Sequence, residues 1–515
     1  MITPRRLALL AAAAAALATA GPAVPAVQDP GRDAWMESGR EAVRRAVSPG
    51  EGEGTARSVI LFVGDGMGLS TVTAARILEG QRRGGTGEEN LLHFERLPFV
   101  ALAKVYSVDR QVPDSASTIT AMVTGVKTAD AVLSMDSAAV TAAGAARFAP
   151  QRSLPTLLEL FEARGRSTGV VSTARLTHAT PAACYAHSPD RGWESDAEVP
   201  AADAAAGARD IARQLVEWEG RPGDGLEVAM GGGRGAFLPE SAADHEDPLQ
   251  KGHRKDGRDL TAEWTRRFPR SAYVWNREQL EALDTSRTDH LLALFERSHM
   301  EYEADRGRDK GGEPSLARMT ERAIEILRRN PEGFFLMVEG GRIDHAHHVN
   351  NAYRALDETI AFAAAVEAAR RMTDPKDTLV VVTADHSHVM TIGGHPVRGN
   401  PILGYVREGE GLAGDAGGRP YTTLGYANGP GAEQPGETKG VSGQEEDTAS
   451  PEYRQRAMVP LGSESHAGED VPVYAGGAGS RLFRGVVEQH ALFHLMLEAA
   501  GMGERKPVRP GGRRD

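Results

Sequence analysis

The chain has one cysteine in 515 residues, Cys184. No intrachain disulfide can form, and zinc sites built on thiolates are excluded, so a metal here has to use His, Asp and Glu. Aromatic residues are scarce, at 5%, which points to a core of small and aliphatic side chains. Excess positive charge is absent: 59 Lys+Arg against 71 Asp+Glu leave a net charge of −12. That is the wrong balance for a phosphate-backbone binder, and no nucleic-acid partner is expected. Apolar runs long enough to span a bilayer are missing as well. The nearest approach, Leu7 to Ala20, is too short. It follows Arg5-Arg6 and ends on the small-residue pattern Ala18-Thr19-Ala20, with Ala23 and Ala26 as rival cleavage points. This reads as an export signal over residues 1–26, with the mature protein periplasmic or extracellular. Gly503 to Asp515 is polar and basic, so no membrane anchor is expected at that end.

What remains is ordinary for a large folded protein, with 40% hydrophobic and 25% charged residues. Asp33 to Val47 has helical spacing and stops at Pro49-Gly50. Short apolar runs predict strands buried on both faces: Val59 to Val63, Thr168 to Val171, Phe334 to Val338 and Leu379 to Val382. Helical patterns lie between and around them, at Leu69–Leu78, Thr118–Met122, Leu154–Ala163, Ala204–Trp218, Leu316–Arg329 and Ala352–Met372. The alternation predicts an α/β fold, a mostly parallel sheet with helices on both faces. From Arg398 to Pro460 the chain turns rich in Gly, Pro, Glu and Thr, the composition of an inserted loop-rich subdomain. The core domain then spans residues 33–397 and resumes over 461–502, with a strand at Val471–Ala475 and a closing helix at Val486–Ala499, before a polar tail at 503–515. Pro239 to Arg258 is polar and reads as a surface excursion.

The chemistry sits at the ends of the apolar runs. Val63 is followed by Gly64-Asp65-Gly66-Met67-Gly68, Val338 by Glu339-Gly340-Gly341-Arg342-Ile343-Asp344-His345-Ala346-His347-His348, and Val382 by Thr383-Ala384-Asp385-His386-Ser387-His388. In parallel α/β sheets ligands bind at the carboxyl ends of strands. Carboxylates converging there repel one another unless cations neutralise them, and oxygen and imidazole donors without cysteine suit zinc and magnesium. Each segment alone has an ordinary structural use, as a turn, a helix face or a cap. Their recurrence at three strand ends favours a metal site. Ser115, in Asp114-Ser115-Ala116, precedes a helical pattern. It fits either a capping role or a nucleophile placed where a helix N-terminus favours phosphate.

Together these segments resemble the alkaline phosphatases, two-zinc, one-magnesium phosphomonoesterases, over nearly the whole chain from Trp35 to Ala499. The likeness rests on Phe62–Val72, Val112–Lys127, Ala174–Asp196, Phe334–His348, Val382–His388 and His466–Val471, and the wording is nearest the vertebrate-like branch. The resemblance implies hydrolysis of a broad range of phosphate monoesters through a phosphoserine at Ser115. It implies one zinc on Asp344, His348 and His466, and a second on Asp65, Asp385 and His386. Magnesium would sit on Asp65, Thr180 and Glu339, and Arg191 would clamp the substrate phosphate. His178 and His345 stand where the best-known bacterial members carry Asp and Lys, and His178 would act through magnesium-bound water. The same likeness implies a homodimer, a crown-like role for residues 398–460, and a calcium site on Glu246, the Phe295 carbonyl, Glu296 and, more weakly, Glu313. His395 replaces a tyrosine that reaches across the vertebrate dimer. A diesterase or sulfatase of the same superfamily, or a non-catalytic phosphate binder, are the alternatives.

Overall fold

The computed structural model describes residues 52–140, 147–409, 411–433 and 446–503. The signal at 1–26, the helical pattern Asp33–Val47 and the tail beyond Gly503 lie outside the described residues.

Ten strands form one sheet: β1 (Ser58–Gly64), β2 (Phe99–Lys104), β3 (Ser167–Arg175), β4 (Val228–Gly232), β5 (Ser271–Val274), β6 (His290–Leu294), β7 (Phe334–Gly340), β8 (Thr378–Ala384), β9 (Val471–Gly477) and β10 (Gly485–Glu488). Their order is β10-β2-β9-β8-β1-β7-β3-β4-β6-β5. All neighbours are parallel except β9, which runs antiparallel to both β2 and β8. Strand β1 is buried at every position, as its run of Val, Ile, Leu and Phe demands in a sheet covered on both faces. Its register brings Gly64 level with Gly340 of β7 and Ala384 of β8. The loops after these three strands therefore leave the sheet side by side.

Five helices carry or support the residues at this edge: α1 (Leu69–Arg82), α2 (Ser115–Thr124), α3 (Ala179–Tyr185), α4 (Arg342–His348) and α5 (Ala352–Met372). Helix α2 begins at Ser115 because Asp114 caps it, its carboxylate accepting from Ser117 N at 3.0 Å. It ends on Gly125, in the left-handed conformation that glycine adopts without strain.

Three sequence expectations change. Ala204–Trp218 is two helices, Ala201–Ala205 and Ile211–Glu217: Gly207 takes a positive φ and Asp210 starts a new helix by capping Arg213 N. Val486 belongs to β10, paired with Leu102, and the closing helix covers only Ala491–Ala499. The pair Val486-Val487 suits a strand better than a helix. Pro239–Arg258 is not a mere surface excursion. Arg254 is buried against Asp210, and Asp244 inside the segment makes a two-pronged bond to buried Arg234. Both pairs are satisfied guanidinium–carboxylate forks. The loop-rich insertion folds mainly around a small three-stranded sheet of Met390–Ile392, Leu424–Gly429 and Ala457–Pro460, whose first strand lies upstream of Arg398.

Candidate active site

Asp65 and Asp385 emerge from the ends of β1 and β8, Glu339 sits opposite Val63 on β7, and Asp344 and His348 lie on α4 just beyond. Gly66 makes the turn after Asp65 with φ +69°, and any side chain there would collide with the His388 ring. Asp385 is held by backbone donors, from Gly66 N at 2.9 Å and His386 N at 2.8 Å.

Ser115 Oγ points into this pocket, 3.2 Å from His386 Nε2 and 3.5 Å from Asp65 Oδ1. His386 Nε2 lies 3.2 Å from Asp385 Oδ2. On the other side, Asp344 Oδ1 is 3.3 Å from His348 Nε2 and 3.4 Å from His466 Nε2. His348 Nδ1 donates to the Glu464 carbonyl at 2.6 Å, and His466 Nδ1 donates to the Pro113 carbonyl at 2.8 Å. Each bond fixes the tautomer and turns a free Nε2 toward Asp344, the usual preparation of an imidazole for a cation.

Among the described residues, four groups of donor atoms lie mutually within 4.8 Å, and three of them are in this pocket: Asp344, His348, His388 and His466; Asp65, Asp344 and His386; and Asp65, His178 and Glu339. The sequence reading put Asp344 in one zinc site only. In space its carboxylate reaches both of the first two groups. Thr180, which the resemblance adds to the third group, is buried at the second position of α3. Asp65 Oδ2, Glu339 Oε1, Asp385 Oδ2 and Thr180 Oγ1 are all buried with no hydrogen-bond partner. Four such oxygens in one pocket are costly unless cations satisfy them, so the residues present fit metal ions.

The electrostatics agree. Burial, and then repulsion from Asp385, Asp344 and Glu339, pushes Asp65 well above the usual carboxylate range. Burial also raises Glu339, to about 7. Burial alone would raise Asp344 too, but His348, His388 and His466 hold it well below normal. His386 is pushed down by burial and by His466 beside it.

Arg191 reaches the pocket from the side. Its Nη1 donates to Asp114 Oδ2 at 3.0 Å and its Nη2 to His178 Nε2 at 2.9 Å. His178 is driven well down by burial and by Arg191, and His345 is pushed to about 3, chiefly by burial; both are neutral acceptors. His345 Nδ1 accepts from Arg342 at 3.0 Å.

The sequence assigns no role to two residues of these clusters. His388 is wedged between Glu464 and Asp344, two positions after His386 on the short strand Ser387–His388; its motif neighbours were legible, its contacts were not. In the peripheral acidic cluster, Glu246 and Glu296 are joined by Asp309, not Glu313. Glu313 is buried and accepts instead from Glu301 N at 3.0 and 3.2 Å. Phe295, at the end of β6, is buried beside Glu296.

Fold and site thus define a metal-binding hydrolase of the sheet-edge type. The family model "Alkaline phosphatase" matches residues 56–502. The tissue-nonspecific alkaline phosphatase of Gallus gallus is 44% identical over 480 residues, covering 92% of this chain and 90% of that one. An alkaline phosphatase of Gadus morhua is 42% identical over 490 residues, covering 93% and 99%. Among solved structures, that of Thermus thermophilus alkaline phosphatase aligns at TM-score 0.61 and 25% identity, covering 94% and 97%. The enzyme of the Antarctic bacterium TAB5 aligns at TM-score 0.59 and 22% identity, covering 88% and 100%, a likeness of fold. The chain belongs to the alkaline phosphatase family, and it hydrolyses phosphate monoesters in a metal-dependent reaction.

Proposed function

We propose that Ser115 is the nucleophile of this phosphomonoesterase and carries the transferred phosphoryl group. The observation that supports this most directly is the Ser115 Oγ, at the first position of α2, 3.2 Å from His386 Nε2 and 3.5 Å from Asp65 Oδ1. The start of a ten-residue helix directs backbone N–H groups at a phosphate bonded there. One zinc belongs on Asp344, His348 and His466, the second on Asp65, Asp385 and His386, and magnesium on Asp65, Thr180 and Glu339. When bound, these ions supply the positive charge that activates a hydroxyl and a water near neutral pH and stabilises the departing oxygen. Ser115 Oγ attacks phosphorus in line as the alcohol leaves on the far side, and water then cleaves the phosphoserine. Arg191 keeps a second proton on each Nη beyond those given to Asp114 and His178, a planar pair for two phosphate oxygens.

The peripheral cluster of Glu246, Glu296 and Asp309 is assigned to calcium, with the Phe295 carbonyl beside it. Glu246 Oε2 and Asp309 Oδ2 are buried without hydrogen-bond partners, with Arg234 Nη2 3.6 Å from Glu246 Oε2, and burial, then Glu246, raises Glu296 to about 8. The protein is assigned as an exported homodimer. Among the described residues no helix is long and apolar enough to cross a membrane. Ala457–Pro460 is an edge strand with Met458 and Val459 exposed, the kind of edge that pairing covers.

Ser115→Ala tests the nucleophile. Turnover of a chromogenic monoester should fall by at least about 10³ while metal content stays near that of the parent. Full activity would overturn the assignment.

A further inference from the structure

His299 lies in the loop after β6, an element that carries none of the residues assigned to zinc, magnesium or phosphate. Its ring nevertheless packs against two histidines of the site. The centroids of His299 and His345 are 4.1 Å apart at 62°, and those of His299 and His178 are 5.4 Å apart at 77°. His178 and His345 close the triangle at 5.5 Å and 69°. All three contacts are edge-on, the arrangement that aromatic rings favour and that fixes their orientation.

The cluster is braced from outside. Arg175, at the end of β3, gives its backbone N–H to His299 Nδ1 at 3.2 Å, and its guanidinium contacts His299 Nε2. That guanidinium is locked by a fork onto Glu194, at 2.8 and 2.7 Å. The loop itself is pinned by Met300 N on the Thr173 carbonyl at 3.0 Å. His345 is braced separately by Arg342, which lies 3.9 Å over the Tyr302 ring. On its inner side His178 has one polar contact that reaches the substrate position, the 2.9 Å bond from Arg191 Nη2. A rigid set of contacts thus runs from Glu194 through Arg175 and His299 to His178 and ends on the arginine fork.

We propose that His299 is a positioning residue for phosphate recognition: it holds the His178 ring in the orientation that aims Arg191. This rests on the reading of Arg191 as the phosphate clamp. Removing the ring leaves His178 free to tilt, and the Nη pair loses its fixed plane. The loss falls on binding of the phosphate group, because Ser115 and the metal ligands keep their own supports.

Steady-state kinetics on the metal-loaded enzyme test it, with a chromogenic monoester as substrate and inorganic phosphate as competitive inhibitor. His299→Ala should raise KM and the phosphate Ki together, by about fivefold, the scale of coupling between residues in contact. Turnover should change less than twofold and metal content not at all. His299→Phe, which restores a ring, should bring both constants back within twofold of the parent. In a His178→Ala background the further change His299→Ala should have no additional effect on Ki. Unchanged Ki in His299→Ala, or full additivity with His178→Ala, would overturn the proposal, and so would loss of metal with loss of turnover. Arg191→Ala is the control: if it leaves Ki unchanged, the clamp reading has failed rather than the role of His299.

Discussion

His388 joins Glu464 to Asp344. Its Nε2 donates to Asp344 Oδ1 at 2.7 Å, while its Nδ1 meets Glu464 Oε2 and Glu464 Oε1 accepts from Val389 N at 2.8 Å. Burial opposes the charge on this imidazole, yet its bonds to Asp344 and Glu464 push it up to about 10. A carboxylate that must meet cations on one side is thereby fixed on the other. His388→Ala frees Asp344 and should weaken zinc at the Asp344 site by about 10–100-fold, the usual cost of losing such a support. Zinc retention against a graded chelator measures this, and parental retention would refute it.

Asp65 is assigned to two ions and His348 to one. Asp65→Asn should therefore deplete both the second zinc and magnesium, whereas His348→Ala should mainly empty the first zinc position. Elemental analysis of the two variants distinguishes them. If Asp65→Asn kept one of its two ions at parental occupancy, the bridging role would be wrong.

Chelation should lower the melting temperature as well as abolish activity. Asp65, Glu339 and Asp385 are fully buried and crowd one pocket that no disulfide restrains. Cations that bind only the folded chain stabilise it by roughly 4 kcal/mol when free metal is a thousandfold above its dissociation constant. A melting temperature indifferent to chelator would contradict this.

Glu162 predicts a weakness at alkaline pH. Burial, then Glu227 beside it, raises its carboxyl to about 9, with Thr168 Oγ1 donating to it at 2.6 Å. The unfolded chain ionises this group near 4.5. Between those values the unfolded state releases a proton that the folded state keeps. This group's contribution to stability is thus greatest in acid and is lost progressively as pH rises toward about 9. Glu162→Gln removes that dependence. Its melting temperature should exceed that of the parent at pH 9, and the difference should shrink toward pH 5. Thermal scans across that range check the sign.

A homodimer should appear by light scattering at concentrations where the enzyme is active, at about twice the chain mass. Met458→Lys, on the exposed edge strand, should shift the balance toward monomer with little effect on the melting temperature of the separated chain. A monomeric parent would reject the assembly.

The sequence by itself determined much of this protein. Strict apolar runs such as Val59–Val63 identified the central strands, because a strand buried on both faces tolerates little else. The acids and histidines directly after those runs, Asp65, Asp344, His348, Asp385 and His386, were legible because a parallel sheet delivers the residues after its strands to one edge. Ser115 and Arg191 gained their meaning from the family motifs around them. Other features were decided only by the tertiary structure. Strand β10 exists because Val486 pairs with Leu102, and Gly207 with the Asp210 cap broke a helical pattern that periodicity alone had joined. Asp309 joins Glu246 and Glu296 in the peripheral cluster, while the Glu313 carboxylate accepts from Glu301 N. His388 was legible only as a member of its motif, and Glu464 and His299 carry no signal in spacing or composition. Their roles depend on side-chain contacts between segments far apart in the chain, and those distances are set by packing, which a linear pattern does not encode.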